Sequence, residues 1–188
     1  MRFVPTSIDG VIVFIPEPHS DARGFFSRTF DVDVAHEAGV DPHSFLQDSV
    51  SRSHKGVIRG LHVRVGHGEA KLVRCSSGRI FDVVIDLRPW SSSYRHWLSF
   101  DLTDLSQRSV YIPAGCAHGF QALTDSADTS YRINRRHDPL EDVTIAYDDP
   151  ELAIPWPLPP TLMSLGDRDA SPMAELGPEL SRIRPPDQ

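Results

Sequence analysis

Short β-prone runs, each ended by a turn signal, follow one another through most of this chain and constrain its fold more than any other feature. VIVFI (11–15), GVIRGLHVRV (56–65), AKLVRC (70–75), IFDVVIDL (80–87), HWLSFDL (96–102), SVYIP (109–113), GFQAL (119–123) and TSYRIN (129–134) are β-branched or alternating. Turns such as SSG (76–78), PWSSS (89–93) and TDSAD (124–128) separate them. That spacing predicts an all-β sandwich or barrel. Helix is a minority. VDVAHEAG (32–39) predicts one, opened by an Asp31 cap and closed by Gly39, and SPMAELGPELSRI (171–183) holds a second short one broken near Pro178. The segment 150–164 carries Pro150, Pro155, Pro157, Pro159 and Pro160, so it should wrap the surface as extended chain. The last residues, RIRPPDQ, read as a frayed end. No repeat or dividing linker is visible, so one domain is expected over 1–188: N-terminal strands and helix over 1–44, a β core over about 45–150 and an extended C-terminal segment over 150–188.

Composition excludes several classes. The 188 residues are 39% hydrophobic and 24% charged, which fits neither a disordered chain nor a helical membrane protein. A formal charge of −7 argues against a nucleic-acid binder. Of 19 cationic side chains only Lys55 and Lys71 are lysine. Cys75 and Cys116 lie in apolar contexts with no CxxC spacing and read as small buried hydrophobes. The N-terminus is interrupted by Pro5, Asp9 and Gly10 and lacks the pattern of a signal peptide, so a cytoplasmic location is expected.

No phosphate loop, dinucleotide fingerprint, HExxH or GxSxG motif is present. Chemistry must therefore come from two other clusters. In Arg59-Gly60-Leu61-His62, strand alternation sends Leu61 and Val63 to one face and Gly60, His62 and Arg64 to the other. The second cluster, PAGCAHGF (113–120), is a turn leading into a strand. Together they resemble the two halves of the cupin signature, which implies a jelly-roll barrel (double-stranded β-helix) with both imidazoles inside. A metal-binding cupin needs a second histidine where this chain has Arg64, and a guanidinium does not ligate a divalent cation. Only His62, Glu69 and His118 would remain, and no metal is expected.

A more specific resemblance covers residues 5–172. DARGFF (21–26), QDSVSRSHKGVIRGLH (47–62), AKLVRCSSGRIFDVVIDLR (70–88), IPAGCAHGF (112–120), Tyr131, DDPELAIPWP (148–157) and LGDRD (165–169) resemble, in order and spacing, the dTDP-4-dehydrorhamnose 3,5-epimerase family. The resemblance implies epimerisation of a nucleotide-diphospho-4-keto-6-deoxysugar without a cofactor. A proton is removed next to the ketone and one is returned from the opposite face, which needs a base, an acid and a stabiliser for the enolate oxygen. By resemblance His62 is the base and Asp169 its carboxylate partner, Tyr131 the proton donor, and Lys71 the cation near the keto oxygen. Arg23, Arg59, His118 and Arg168 match positions that grip the substrate. Gln47 matches a further binding position. Taken singly these residues say little: His62 would be a core histidine, and Arg23 and Arg168 surface charges beside Asp21, Asp167 and Asp169.

The departures fall in the binding shell. Arg28 stands where the family carries Glu, Ser49 where it carries Asn, Val63-Arg64 where Tyr-Gln follows GLH, His137 in place of a tyrosine, and Asp142 in place of Glu. They leave epimerisation at one carbon, 3 or 5, as the alternative. Two other classes compete: a metal-dependent cupin enzyme and a silent sugar-nucleotide-binding cupin. If the barrel gathers Arg23, Arg28, Arg59, Lys71 and Arg168, an acidic protein acquires one cationic pocket suited to a diphosphate. The expected partners are a dTDP-sugar and a second copy of the chain, with no nucleic acid and no membrane. VIVFI, if unsatisfied within one barrel, would add to a neighbour's sheet.

Overall fold

The computed structural model describes residues 1–185. Its strands are β1 (Arg2–Pro5), β2 (Ile12–Ile15), β3 (His19–Asp21), β4 (Gly24–Phe26), β5 (Gln47–His54), β6 (Ile58–Arg64), β7 (Lys71–Ser77), β8 (Arg79–Asp86), β9 (Trp97–Thr103), β10 (Ser109–Ile112), β11 (Cys116–Ala122), β12 (Ser126–Ile133) and β13 (Asp142–Thr144). The helices are α1 (Val32–Glu37), α2 (Leu165–Arg168) and α3 (Gly177–Leu180), with a 3-10 turn at Met173–Glu175. Among the described residues no helix is long and apolar enough to cross a membrane.

The strands form two main antiparallel sheets, ordered β1-β2-β10-β7-β12-β5 and β13-β6-β11-β8-β9, with β3-β4 as a separate hairpin. Non-sequential neighbours such as β10-β7-β12 and β6-β11-β8 give the jelly-roll winding. Every inner strand is buried on one face at least, which is why alternation marks it in the sequence. Between the sheets Val73, Cys75, Ile80, Val84, Leu102, Val110, Ile112, Cys116, Phe120 and Ala127 pack as one core. Burying each such aliphatic side chain contributes about 1.5–3 kcal/mol against leaving it in water. The same alternation turns Lys71 and Tyr131 inward beside Val73 and Ala127, and His118 inward beside Cys116 and Phe120. The barrel interior is therefore apolar at one end and polar at the other.

The outer faces are covered by the chain's two ends. On the five-stranded sheet, Leu61, Val63, Val83, Ile85 and Ala117 pack against Leu152, Ile154, Met173, Leu180 and Ile183. The proline-rich segment runs there without strand pairing, as its composition predicts. The side-chain amide of Gln121 holds it by donating to the Leu158 carbonyl (2.7 Å) and accepting the Leu158 N–H (2.9 Å). On the six-stranded sheet, α1 packs Ala35 against Ile12, Phe14 and Leu72. Asp31 caps α1 by accepting the N–H groups of Asp33 and Val34, and Gly39 follows at φ 77°, as the sequence predicts.

Two expectations are corrected and a third holds. VIVFI does not join a neighbour's sheet, because β2 is satisfied between β1 and β10 of the same chain. The helical stretch of 171–183 is broken near Pro178 as expected: the 3-10 turn Met173–Glu175 ends at Leu176, and α3 starts at Gly177 with Pro178 in its first turn, where its missing N–H costs nothing. The chain does not fray from Arg182 onward: Ile183 is buried and bridges Gly66. The rest of the expected frayed end, residues 186–188, lies outside the described residues.

Candidate active site

Two facing strands set the geometry. β6 and β11 approach so closely that a Cβ on Gly60 would lie 2.6 Å from the Gly119 Cα and 2.8 Å from the His118 carbonyl oxygen, and Gly60 has φ 119°. Only glycine suits both demands. This close crossing puts His62 directly opposite His118 in register. Both imidazoles, with Arg59, Lys71, Ser51, Phe120, Tyr131 and Ile133, line a cavity of about 250 Å³. An adjoining recess of about 340 Å³ shares His62 and Lys71 and extends past Arg64, Glu69, Asp142, Thr144 and Asp167. His62, Arg59 and His118 come from the five-stranded sheet, and Lys71, Tyr131 and Ser51 from the six-stranded one. A molecule in the cavity therefore has an imidazole on one wall and a phenol on the other.

His62 is half-exposed to the cavity, and its Nε2 lies 2.6 Å from Asp167 Oδ1. Asp167 is delivered by α2. Ser164 caps that turn by accepting the Asp167 N–H at 3.1 Å, which turns the carboxylate towards β6. Burial works against ionisation of Asp167, but the hydrogen bond and charge of His62, the Ser164 hydroxyl and the Gly60 N–H outweigh it, so the carboxyl is held below its ordinary value. The dyad thus contains a carboxylate able to orient the imidazole and to stabilise the imidazolium formed when it takes a proton.

On the opposite wall the Tyr131 hydroxyl is 3.0 Å from Ser51 Oγ. Burial pushes the phenol up to about 12, so it carries its proton throughout the neutral range. Behind the first dyad stands a second: His118 Nε2 lies 2.7 Å from Asp82 Oδ2, with both side chains buried. Lys71 Nζ is 2.9 Å from Glu69 Oε1. Arg59 donates to Ser53 Oγ (2.9 Å) and the Arg52 carbonyl (3.0 Å), which braces its guanidinium at the cavity wall.

Of the residues singled out from sequence, His62, Lys71, Tyr131, Arg59 and His118 meet in one cavity, and Asp142 lines the adjoining recess. His137 binds Asp142 through Nε2 at 2.6 Å. Gln47 and Ser49 lie on β5 opposite Ile133 and Tyr131. Asp169 is not the partner of His62: it pairs with Arg168 at 2.7 Å on the exposed end of α2, and Asp167 takes the expected place. The four-residue turn decides this, because it points residues two apart in nearly opposite directions. Arg23 pairs with Asp21 at the tip of the β3-β4 hairpin. Arg28 pairs with Asp31 beside a different recess, lined by Met1, Glu17, His19 and Phe26. The single cationic pocket expected from Arg23, Arg28, Arg59, Lys71 and Arg168 thus contains only Arg59 and Lys71 in one chain.

Asp167, Asp82 and Ser51 were missed. Two had a signal: Ser164 and Asp167 have the three-residue spacing of a helix cap, and Asp82 is a lone acid in the middle of an apolar strand. The three candidate metal ligands are all engaged, His62 by Asp167, His118 by Asp82, and Glu69 by Lys71 and Arg64. Among the described residues no group of three or more His, Cys, Asp or Glu side chains is placed to hold a metal ion.

Comparison with known proteins identifies the family. The family model described as dTDP-4-dehydrorhamnose 3,5-epimerase matches residues 5–175. A dTDP-4-dehydrorhamnose 3,5-epimerase from Methanothermobacter thermautotrophicus is 41% identical over 177 residues, covering 93% of this chain and 95% of its own. A dTDP-4-dehydrorhamnose 3-epimerase from Streptomyces niveus is 42% identical over 176 residues, covering 93% and 85%. Among solved structures, dTDP-6-deoxy-D-glucose-3,5-epimerase from Legionella pneumophila in complex with dTDP-4-keto-L-rhamnose superposes with a TM-score of 0.91 at 35% identity, covering 98% of each chain. With the model spanning nearly the whole length and the fold matching throughout, the chain belongs to the dTDP-4-dehydrorhamnose 3,5-epimerase family.

Proposed function

We propose that this protein is a cofactor-independent isomerase that epimerises dTDP-4-dehydro-6-deoxyglucose at carbons 3 and 5. The observation that carries the reading is the placement of an imidazole–carboxylate dyad and a protonated phenol on opposite walls of one cavity, with an ammonium beside them. His62 takes the proton from a carbon flanking the ketone; the C–H electron pair forms the C=C bond of an enolate and the carbonyl π pair moves onto oxygen. Asp167 stabilises the imidazolium that results. Lys71 offsets the charge on the enolate oxygen, and Tyr131 returns a proton to carbon from the other face, which inverts the centre. The sugar ends at its starting oxidation level, so the chemistry calls for no redox cofactor. Arg59 and His118, on the wall of His62, bind the sugar or its diphosphate, and Gln47, Ser49, His137 and Asp142 border the substrate.

The same reading takes the chain as one cytoplasmic domain that works as a homodimer. The β3-β4 hairpin supports this, because Phe25 and Phe26 are exposed on it and Arg23 stands outside its own chain's cavity. A second chain would cover the phenylalanines and receive Arg23 at its site. Light scattering at micromolar concentration tests the dimer.

The deciding experiment is incubation with dTDP-4-dehydro-6-deoxyglucose in deuterated water, followed by NMR. Deuterium at carbons 3 and 5 supports the double epimerase. Deuterium at one carbon limits it to the mono-epimerase, the activity the Streptomyces relative is named for. No incorporation at either carbon sinks the reading.

A further inference from the structure

The floor where the two recesses meet carries more charge than the proposed chemistry uses. Glu69 lies between two cations: Oε1 is 2.9 Å from Lys71 Nζ, and Oε2 is 2.5 Å from Arg64 NH1. Glu69 and Arg64 are buried, each side chain 7% exposed, and Lys71 is partly buried at 12%. Glu69 Oε2 has no hydrogen bond of good alignment, so its contact with Arg64 is chiefly charge on charge. Arg64 is itself fixed by donating to the Arg136 carbonyl at 3.1 Å and to Asp142 Oδ1 at 3.3 Å. Asp142 is half-exposed and shared with His137, so solvent screens it and it does not cancel Arg64.

Buried charges this close act as a unit. Lys71, Glu69 and Arg64 together carry one net positive charge. Without Glu69, two cations would face each other across the floor, and the flexible lysine would leave while the braced arginine stayed. Without Arg64, Glu69 would face Lys71 alone, and the ammonium's field in the cavity would be largely cancelled.

We propose that Glu69 is a positioning residue that anchors the Lys71 ammonium at the cavity floor, with Arg64 supplying the countercharge to Glu69 that leaves the field of the ammonium in the cavity uncancelled. The anchor is read from the ion-pair geometry alone, whereas its catalytic consequence rests on the epimerase reading above.

The presence of only two lysines makes the anchor measurable without any assay of activity. Reductive methylation of the whole folded protein, read by peptide mass spectrometry, reports Lys71 against exposed Lys55 as an internal reference. Glu69→Gln should raise the Lys71/Lys55 labelling ratio by about fivefold or more, because a released ammonium reaches solvent. A ratio within about twofold of wild type overturns the anchor. Should Glu69→Gln not fold, the charge-balanced Arg64→Gln/Glu69→Gln protein takes its place under the same thresholds, since its neutral amide also lacks the charge that holds Lys71.

The catalytic consequence is read from steady-state kinetics and deuterium incorporation. Arg64→Gln should lower kcat by roughly tenfold with KM changed by less than about threefold, a split that a general loss of packing would not give. An unchanged kcat in Arg64→Gln overturns the countercharge role. If the wild-type protein exchanges no deuterium, the epimerase reading fails by itself, and the labelling ratio still decides the anchor.

Discussion

The two His–Asp pairs of this protein are chemically alike and physically opposite. His62 and His118 face each other across β6 and β11, and each binds a carboxylate through Nε2 at 2.6 and 2.7 Å respectively. The His62 side chain is 47% exposed, whereas that of His118 is 5% exposed and that of Asp82 fully buried. Asp82 is a fixed point within a sheet, and its Oδ1 has no hydrogen-bond partner. Asp167 is carried in from the C-terminal segment on a single helical turn. An exposed imidazole with a delivered carboxylate can exchange protons with a bound substrate. A buried pair holds its ring in place at the cavity wall, as a binding group rather than a proton carrier. Environment, not residue type, separates the proposed base from the brace.

Substitution at His62 should have the largest effect. His62→Ala removes the proposed base, and deuterium incorporation should fall by about 10²–10⁴-fold, the usual worth of a positioned proton-transfer group. Incorporation at the wild-type rate would end its assignment. Asp167→Asn keeps the shape of the dyad but loses its charge, and kcat should fall by about a hundredfold, while Asp169→Asn two residues on should change it by less than about twofold. Equal losses in the two variants would show that the wrong carboxylate has been paired with His62.

The buried pair should respond in the opposite sense. Asp82→Asn should lower stability by about 1–3 kcal/mol, measured by denaturant unfolding, and reduce kcat less than Asp167→Asn does. A kcat loss as large as that of Asp167→Asn, with little loss of stability, would collapse the distinction between the pairs. Ser164→Ala should have the smallest effect, about 1 kcal/mol from the lost cap of α2, with a few-fold fall in kcat because Asp167 is less firmly aimed.

Acidity offers a further way to separate them. The Asp167 carboxyl is depressed in the folded protein, so its stabilisation is complete above the ordinary carboxylate range and is lost as pH falls through the lower folded value. Thermal unfolding of wild type should therefore drop more steeply under acid than that of Asp167→Asn. On the alkaline side, Tyr131 is raised to about 12, so a wild-type minus Tyr131→Phe absorbance difference should show phenolate only near that pH.

How much of this is legible in the residues depends on whether the local pattern and the tertiary environment agree. β6 and β8 are readable because one apolar face repeats at every second residue. β5 is not readable as a strand, since Gln47, Ser49, Ser51 and Ser53 place polar groups on alternate positions and Asp48, Arg52 and His54 fill most of the others. It is a sheet edge whose serines border a wet cavity, so no apolar alternation is needed. β3 and β4, at three residues each, are too short to show a period at all.

The sequence by itself determined the β-rich class, the cap and stop of α1, the inward direction of His62 and, through the ordered motifs, the family. These are local or near-local properties: alternation, turn chemistry and cap spacing act within a few residues, and an ordered motif set needs no coordinates. Only the tertiary structure decided that Asp167 rather than Asp169 meets His62, that Asp82 braces His118, and that Glu69 bridges Lys71 and Arg64. The Asp167 and Asp82 contacts join residues far apart in the chain, and all three depend on which way a turn or a strand aims a side chain. One residue of offset in a strand, or two in a helical turn, reverses the answer, and the energy that selects it comes from packing the two sheets and the C-terminal segment together.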